Sequence, residues 1–294
     1  MSLTMGGIAG IVSRTAVAPL ERLKILYQVQ HITGYDGGKR KYGSVTQSLR
    51  TIYREEGIAG FYRGNGTNCV RVFPYVGTQF LCFETYKSLV LELRANKNGD
   101  TNTLTPLQKL SVGAMSGVSS VAVTYPLDFA RGQLTAQGGA TSSNYRGIVH
   151  VFTDTVKHRG VGAIYAGIKP SFIGIAPYVG VNYLVYEQLK ELRPVEEQGA
   201  LFKLVCGGIA GTSGQTVAYP MDLLRRRFQL QETLVSKSKS SRYYSGVGQA
   251  MRAIVNEEGF VGLYKGFVPN FFKVVPTIAI MFWVNDMLKQ VLLE

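Results

Sequence analysis

The chain is short of the residues that most catalytic chemistry needs. It has three histidines and three cysteines among 294 residues. Cys69, Cys82 and Cys206 form no short-spaced pair, which excludes a zinc-ribbon spacing and a dense disulfide framework. They sit in apolar stretches and read as small core residues of a reducing compartment or a bilayer. His31, His150 and His158 fall in or near polar stretches and read as surface imidazoles. No phosphate-binding loop with its lysine and no Ser-His-Asp set is found, so the chain reads as no enzyme, with no metal and no cofactor. Acidic residues are scarce too, 19 against 32 basic ones, for a net charge of +13. That balance asks for an anionic partner: nucleic acid, an anionic solute or a membrane surface. No cleavable signal peptide is read at Met1.

Long uninterrupted apolar runs are also missing. The mean hydropathy of +0.06 is nevertheless high for so charged a chain, so its hydrophobic residues are concentrated in segments. Six long helices are expected, over about 2–30, 67–93, 106–136, 168–192, 199–230 and 267–292. Each exceeds the ~20 residues that cross a hydrocarbon core of ~30 Å. Each also carries charges or prolines near its middle. On a lipid-facing helix a central charge costs ~2.5–3.5 kcal/mol, so these charges must face a bundle interior or a water-filled cavity. A basic nucleic-acid-binding protein would account for the charge but not for six such segments.

What the chain does have is threefold repetition. Pro19-Leu20-Glu21-Arg22-Leu23-Lys24 returns as Pro126-Leu127-Asp128-Phe129-Ala130-Arg131 and as Pro220-Met221-Asp222-Leu223-Leu224-Arg225. The prolines stand 107 and 94 residues apart. A second signature runs from Glu56-Gly57 to Tyr62-Arg63-Gly64. It returns as Arg159-Gly160 to Tyr165-Ala166-Gly167 and as Glu258-Gly259 to Tyr264-Lys265-Gly266. A third places Glu84, Glu187 and Asp286 ten residues after Pro74, Pro177 and Pro276, with Lys87, Lys190 and Lys289 three further on. Repeats of this length are supersecondary units, here spanning 1–94, 95–194 and 195–294. Small-residue pairs at Gly6/Gly10, Gly113/Gly117 and Gly207/Gly211 suggest close helix approach. Between the two long segments of each unit lies a basic stretch, with Lys39, Arg40 and Lys41 in the first and Lys237, Lys239 and Arg242 in the third. Within the first, Val45, Leu49 and Ile52 form an amphipathic run suited to a short surface helix.

Together these motifs resemble the mitochondrial carrier family, over essentially the whole chain. The resemblance implies an all-α membrane protein, with six transmembrane helices in a threefold pseudosymmetric barrel. Short helices line the matrix side. It implies transport by alternating access in the inner mitochondrial membrane, with the termini toward the intermembrane space. A peroxisomal membrane is the alternative. It also implies a monomer whose partners are a small anionic substrate and membrane lipid, cardiolipin among them, and no nucleic acid.

Glu21 and Lys24 lie three apart and share one helix face, as do Asp128/Arg131 and Asp222/Arg225. The resemblance implies a matrix-side ring of Glu21 with Arg131, Asp128 with Arg225 and Asp222 with Lys24. Gln28 and Gln229 would brace it, and Thr135 breaks that pattern in the second unit. A cytoplasmic ring would join Glu84 with Lys190, Glu187 with Lys289 and Asp286 with Lys87. Thirteen residues before the acids of that second ring lie Arg71, Gly174 and Lys273. At 1.5 Å per residue this level falls near the bilayer centre. Arg14 adds a third cation. Uncompensated cations at this depth ask for a multiply charged anion. Gly174-Ile175 reads as an apolar recess and Tyr178 as a ring on which a flat base stacks.

In the family, a Gly-aliphatic pair at this level accompanies adenine nucleotides, so the resemblance implies exchange of adenine-nucleotide-type anions: coenzyme A, adenosine phosphosulfates or ADP/ATP. Arg225-Arg226-Arg227 continues as Phe228-Gln229-Leu230, without the methionines of the ADP/ATP exchangers. No EF-hand segment is read ahead of Met1, unlike the ATP-Mg/phosphate carriers. Asn68-Cys69-Val70-Arg71-Val72-Phe73-Pro74-Tyr75 is most similar to the coenzyme A and phosphosulfate branch. Two alternatives stay open: a carrier of small inorganic or carboxylic anions, and a receptor or scaffold on the same fold that does not transport.

Overall fold

A computed structural model describes residues 2–30, 42–98, 104–137, 145–192, 199–235 and 244–293. His31 and the loop bases Lys39, Arg40, Lys41, Lys237, Lys239 and Arg242 lie outside these residues. In chain order the helices are α1 (Ser2–Val29), α2 (Val45–Phe61), α3 (Asn65–Asn98), α4 (Pro106–Ala136), α5 (Ile148–Arg159), α6 (Ile168–Lys190), α7 (Ala200–Val235), α8 (Val247–Glu258) and α9 (Phe267–Leu293). Short 3-10 turns at Val161–Tyr165 and Phe260–Tyr264 follow α5 and α8. No strand occurs among the described residues.

The six long helices close on themselves. α1 packs on α3 and α9, α3 on α4, α4 on α6, α6 on α7, and α7 on α9. Their polarity is inverted relative to a water-soluble bundle. Val70, Leu81, Val123, Leu184, Phe272 and Trp283 are exposed, whereas Gln28, Asp128, Arg131, Arg226, Arg227 and Gln229 are buried. Lipid accounts for the first group and a polar barrel interior for the second. Among the described residues only α4, over Leu107–Ala136, is long and apolar enough to cross a membrane by composition alone. The other long helices carry the charges and prolines that the barrel interior accommodates.

Local chemistry explains the boundaries. α4 begins on a capping box, with Thr105 and Gln108 exchanging side-chain and backbone bonds and Pro106 at the first helical position. Gly160 and Gly259 take φ values of 77° and 72° where α5 and α8 end, and Gly57 takes 67° at a kink within α2. Gly64, Gly167 and Gly266 take 78°, 83° and 85° just before α3, α6 and α9. A Cβ at these three would strike Thr135, the Arg225 carbonyl and the Lys24 carbonyl at 2.2, 2.7 and 2.9 Å. The repeated glycine therefore lets the first long helix of another unit end against this turn.

The short helices are tied to those same helix ends. Ile52 of α2 packs with Leu23 and Leu26, Val151 of α5 with Phe129 and Ala130, and Ile254 of α8 with Leu223 and Leu224. Of the small-residue pairs, Gly10 meets Val72 of α3 at 3.7 Å and Gly211 meets Asn182 of α6 at 4.0 Å, measured from an added Cβ, whereas the other described members do not mark close approach. A Cβ at Gly113, Gly117 or Gly207 would meet nothing within 4 Å. Closer approach occurs where Gly7 meets the Phe73 ring and Gly214 meets the Tyr178 carbonyl.

Candidate functional site

At the short-helix end, α1, α4 and α7 are joined by a ring of ion pairs. Lys24 on α1 bonds Asp222 on α7, Arg131 on α4 bonds Glu21 on α1, and Arg225 on α7 bonds Asp128 on α4. Each acid reaches the base of another repeat. This arrangement follows from the acid and base sharing one face three residues apart. Aromatic rings back two of the bases. Lys24 lies 5.4 Å from the Tyr219 ring centre, and the Arg225 guanidinium 5.3 Å from that of Tyr125.

The cations expected at the central level sit directly on this ring. Lys273 Nζ donates to Glu21 Oε1 at 3.0 Å. Arg71 Nε stands 2.9 Å from Asp128 Oδ1, a charge contact without hydrogen-bond alignment. Arg14 donates to Asn68 Oδ1 at 3.1 Å, and Asn68 in turn donates to Glu21 Oε2 at 3.3 Å. The expectation of uncompensated cations is thus corrected: Arg71 and Lys273 share the ring's acids. The reason is desolvation, which makes an isolated charge at this depth costlier than a shared one. Asp222 differs, having Lys24 alone in ion-pair range among the described residues.

Gly174 is not an open recess. It is buried in α6, and a Cβ there would lie 3.0 Å from Met221 Cβ of α7. Its smallness serves helix approach. Ile175 follows it on α6, half-buried, and the Tyr178 ring lies against Gly214 while staying 36% exposed. Among the described contacts, no hydrogen bond or ring contact joins Tyr178 to Arg14, Arg71 or Lys273. A ring does lie against a site cation at Tyr75, whose centre is 5.0 Å from the Arg71 guanidinium.

At the opposite end the described residues give one ion pair among the six expected ring members. Lys87 pairs with Glu84 on its own helix at 3.4 Å, and both are exposed. Asp286 and Lys289 lie on α9, but their side chains fall outside the described residues. Glu187 and Lys190 stand on the last turn of α6, half-buried. With the ring at the short-helix end formed, Lys87 finds its carboxylate one turn back along α3.

The ring is braced unequally. Gln28 donates to Tyr219 Oη at 3.2 Å, beside the Lys24–Asp222 pair. Gln229 donates to Tyr125 Oη at 3.2 Å, beside Arg225–Asp128. Each tyrosine donates onward, to the Lys265 and Ala166 carbonyls, and stacks on Tyr264 or Tyr165. The α1–α4 seam has neither partner. Ala18 precedes Pro19 where the other motifs have tyrosine, and Thr135 stands where they have glutamine. A cavity of 10 Å³, room for about one water, remains there, lined by Ala18, Arg22, Arg63, Arg131 and Thr135 among others. Arg22 partly compensates by donating to the Gln137 carbonyl at 3.0 Å.

Installing the missing brace with Ala18→Tyr and Thr135→Gln should add ~1–2 kcal/mol to the closed ring. Turnover should fall about five- to thirtyfold while thermal stability rises. Exchange rates and melting curves of the double variant check this. A faster or unchanged exchanger with a lower Tm would show that the seam tolerates no brace.

Several of these residues escape a sequence-only reading. Tyr125 and Tyr219 each stand directly before a motif proline, and that repeated step is the signal that could have found them. Asn68, buried between Arg14 and Glu21, returns as the buried Asn270 six residues before the third unit's proline, and Tyr75 returns as Tyr178 just after the second unit's, so each had a repeat signal that could have found it.

The comparisons agree with this architecture. A family model described as mitochondrial carrier protein matches residues 1–94, 102–195 and 196–294. The chain is 44% identical to the mitochondrial adenine nucleotide transporter ADNT1 of Arabidopsis thaliana, over 99% of this chain and 86% of that protein. It is 37% identical to the mitochondrial carrier protein CoAc1 of Zea mays, over 99% and 86%. It is also 34% identical to the human mitochondrial adenyl nucleotide antiporter SLC25A24, over 99% of this chain and 58% of that protein. Threefold repetition, a closed ring of six long helices and a family match along nearly every residue lead to one assignment: the chain belongs to the mitochondrial carrier family.

Proposed function

We propose that this protein exchanges adenine-nucleotide-type anions across the inner mitochondrial membrane by alternating access. The short helices then face the matrix, and the described conformation is closed on that side. It acts as a monomer in contact with membrane lipid. The observation that carries the reading is the convergence of Arg14, Arg71 and Lys273 above the acids Glu21 and Asp128. The names of the relatives, an adenine nucleotide transporter and an adenyl nucleotide antiporter among them, support the same substrate class.

The mechanism follows from shared acids. Arg71 ties α3 to α4 through Asp128, and Lys273 ties α9 to α1 through Glu21. A substrate phosphate entering from the cytoplasmic side offers both cations a doubly charged, bidentate partner. Drawing them off removes two interhelical contacts from the closed ring and leaves three marginal pairs. Differential affinity of the anion for the two states then tips the equilibrium. When the ring parts, Glu84, Glu187 and Asp286 can close the cytoplasmic end with the lysines of neighbouring repeats.

A panel of ADP, ATP, coenzyme A, adenosine phosphosulfates, phosphate and keto acids, each exchanged in proteoliposomes, tests the reading. Exchange of one or more adenine-bearing anions is expected. Exchange restricted to phosphate or to keto acids would replace this function with carriage of small inorganic or carboxylic anions.

A further inference from the structure

Arg226 is a buried cation that the gate does not use. It lies on α7 one residue beyond Arg225 and is 8% exposed. Its hydrogen bond goes to Gln229 Oε1 of its own helix, at 2.9 Å. No carboxylate lies within ion-pair range of it among the described residues, whereas Arg225 has Asp128 and the buried Arg227 has Glu258. It is nonetheless set amid the ring: the charges of Asp222 and Asp128 attract it, and those of Arg225 and Arg131 repel it. The space it occupies is made by Gly132 of α4. A Cβ there would fall 3.4 Å from Arg226 Nη1 and 3.1 Å from Gln229 Oε1.

A cation left without its own acid at this depth costs several kcal/mol, and such residues persist where a function requires them. The local balance points the same way. Around the ring stand Arg14, Lys24, Arg71, Arg131, Arg225, Arg226 and Lys273 against only Glu21, Asp128 and Asp222. The surplus suits a guest that brings several negative charges.

We propose that Arg226 is the matrix-side receiving site for the phosphates of the transported anion. In the matrix-closed state it is sealed behind the ring, held by Gln229 of its own helix beside the α4–α7 seam. Once the Asp128–Arg225 and Asp222–Lys24 pairs part, its guanidinium faces the matrix opening. There it binds phosphate oxygens of an anion leaving for the matrix or entering from it. Arg14, Arg71 and Lys273 serve the cytoplasmic approach, so the two faces of the carrier bind the same anion through different cations. This rests on the reading of the substrate as a polyphosphate or similar anion.

The test is exchange in liposomes of defined protein orientation, with KM for ADP measured separately from each face. Arg226→Gln should raise the matrix-face KM about tenfold and leave the cytoplasmic-face KM within about twofold. Arg226→Lys keeps the charge without the fork and should raise the matrix-face KM by about threefold. A role confined to bracing Gln229 would change kcat or Tm and shift both faces alike, and that result would overturn the proposal. So would an unchanged matrix-face KM. If Arg226→Gln does not fold, Arg226→Lys decides on the same face-to-face comparison. Should the wild-type protein exchange some other anion, the nucleotide reading fails by itself, and the sided KM values are read with that anion.

Discussion

Arg71→Ala should reduce exchange about a hundredfold or more, and Lys273→Ala nearly as far. Removing one partner of a buried charge contact costs ~2–5 kcal/mol, and each ~1.4 kcal/mol is tenfold in rate or affinity. The gate should survive both changes. Without Arg71, Asp128 still holds Arg225, and without Lys273, Glu21 still holds Arg131. The matrix-closed state therefore keeps its three ring pairs, and the melting temperature without substrate should drop only a little. What disappears is the response to substrate, because a ligand that binds the folded state raises its stability only as far as it binds. Wild-type protein should melt higher with millimolar ADP, and Arg71→Ala should not. Exchange above a third of wild type in Arg71→Ala would remove it from the site. A large collapse of stability without substrate would instead make its contact with Asp128 structural.

This pairing of site and gate is where the sequence and the three-dimensional arrangement part company. The three proline–acid–base motifs, the glycines that open α3, α6 and α9, and the spans of the long helices were all legible, since each rests on local spacing or on a threefold comparison. The ring itself was legible only through resemblance. Spacing puts Glu21 and Lys24 on one face, but it does not say which repeat supplies the partner. The double use of Glu21 and Asp128 was hidden for a plainer reason. Arg71 and Lys273 lie on α3 and α9, far along the chain from these acids, and nothing periodic links them. Counting along a helix gave their level but not their contacts. Gly174 misled because a glycine beside an aliphatic residue reads equally as an open recess or as a packing point. Met221 of α7 decides for packing. Asymmetry among the repeats was half visible: Thr135 stood out against Gln28 and Gln229, while Ala18 acquires meaning only beside the hydrogen-bonded Tyr125 and Tyr219.

Reversing the gate pairs one at a time should give unequal rescue, in an order set by these shared acids. Each single change, such as Asp222→Lys, Asp128→Lys or Glu21→Lys, should abolish most exchange, since it leaves two buried cations facing each other. The double variant Asp222→Lys with Lys24→Glu should recover best, to about a tenth of wild type or more. Asp222 has one base in ion-pair range among the described residues, so the exchange of charges restores that close partner, while Arg226 acts on position 222 from outside ion-pair range. The new acid at 24 also comes under the attraction of Lys273, whose charge already acts on Lys24. Asp128→Lys with Arg225→Glu should recover far less. The lysine at 128 would regain a partner at 225 but would stand against Arg71, now 2.9 Å from Asp128. At that range two like charges repel by several kcal/mol even at an effective dielectric of ~20. Glu21→Lys with Arg131→Glu should fail for the same reason, because Lys273 would face the new lysine. Adding Arg71→Gln to the Asp128/Arg225 swap removes the repulsion. Melting temperature should then rise although exchange does not, because the substrate cation is gone. Exchange assays and melting curves across the three swaps read the order directly. Equal rescue at all three positions would mean that the Arg71–Asp128 and Lys273–Glu21 contacts carry little energy. Loss of substrate affinity in Arg71→Ala would then have to come from Arg71 alone, without coupling to the gate.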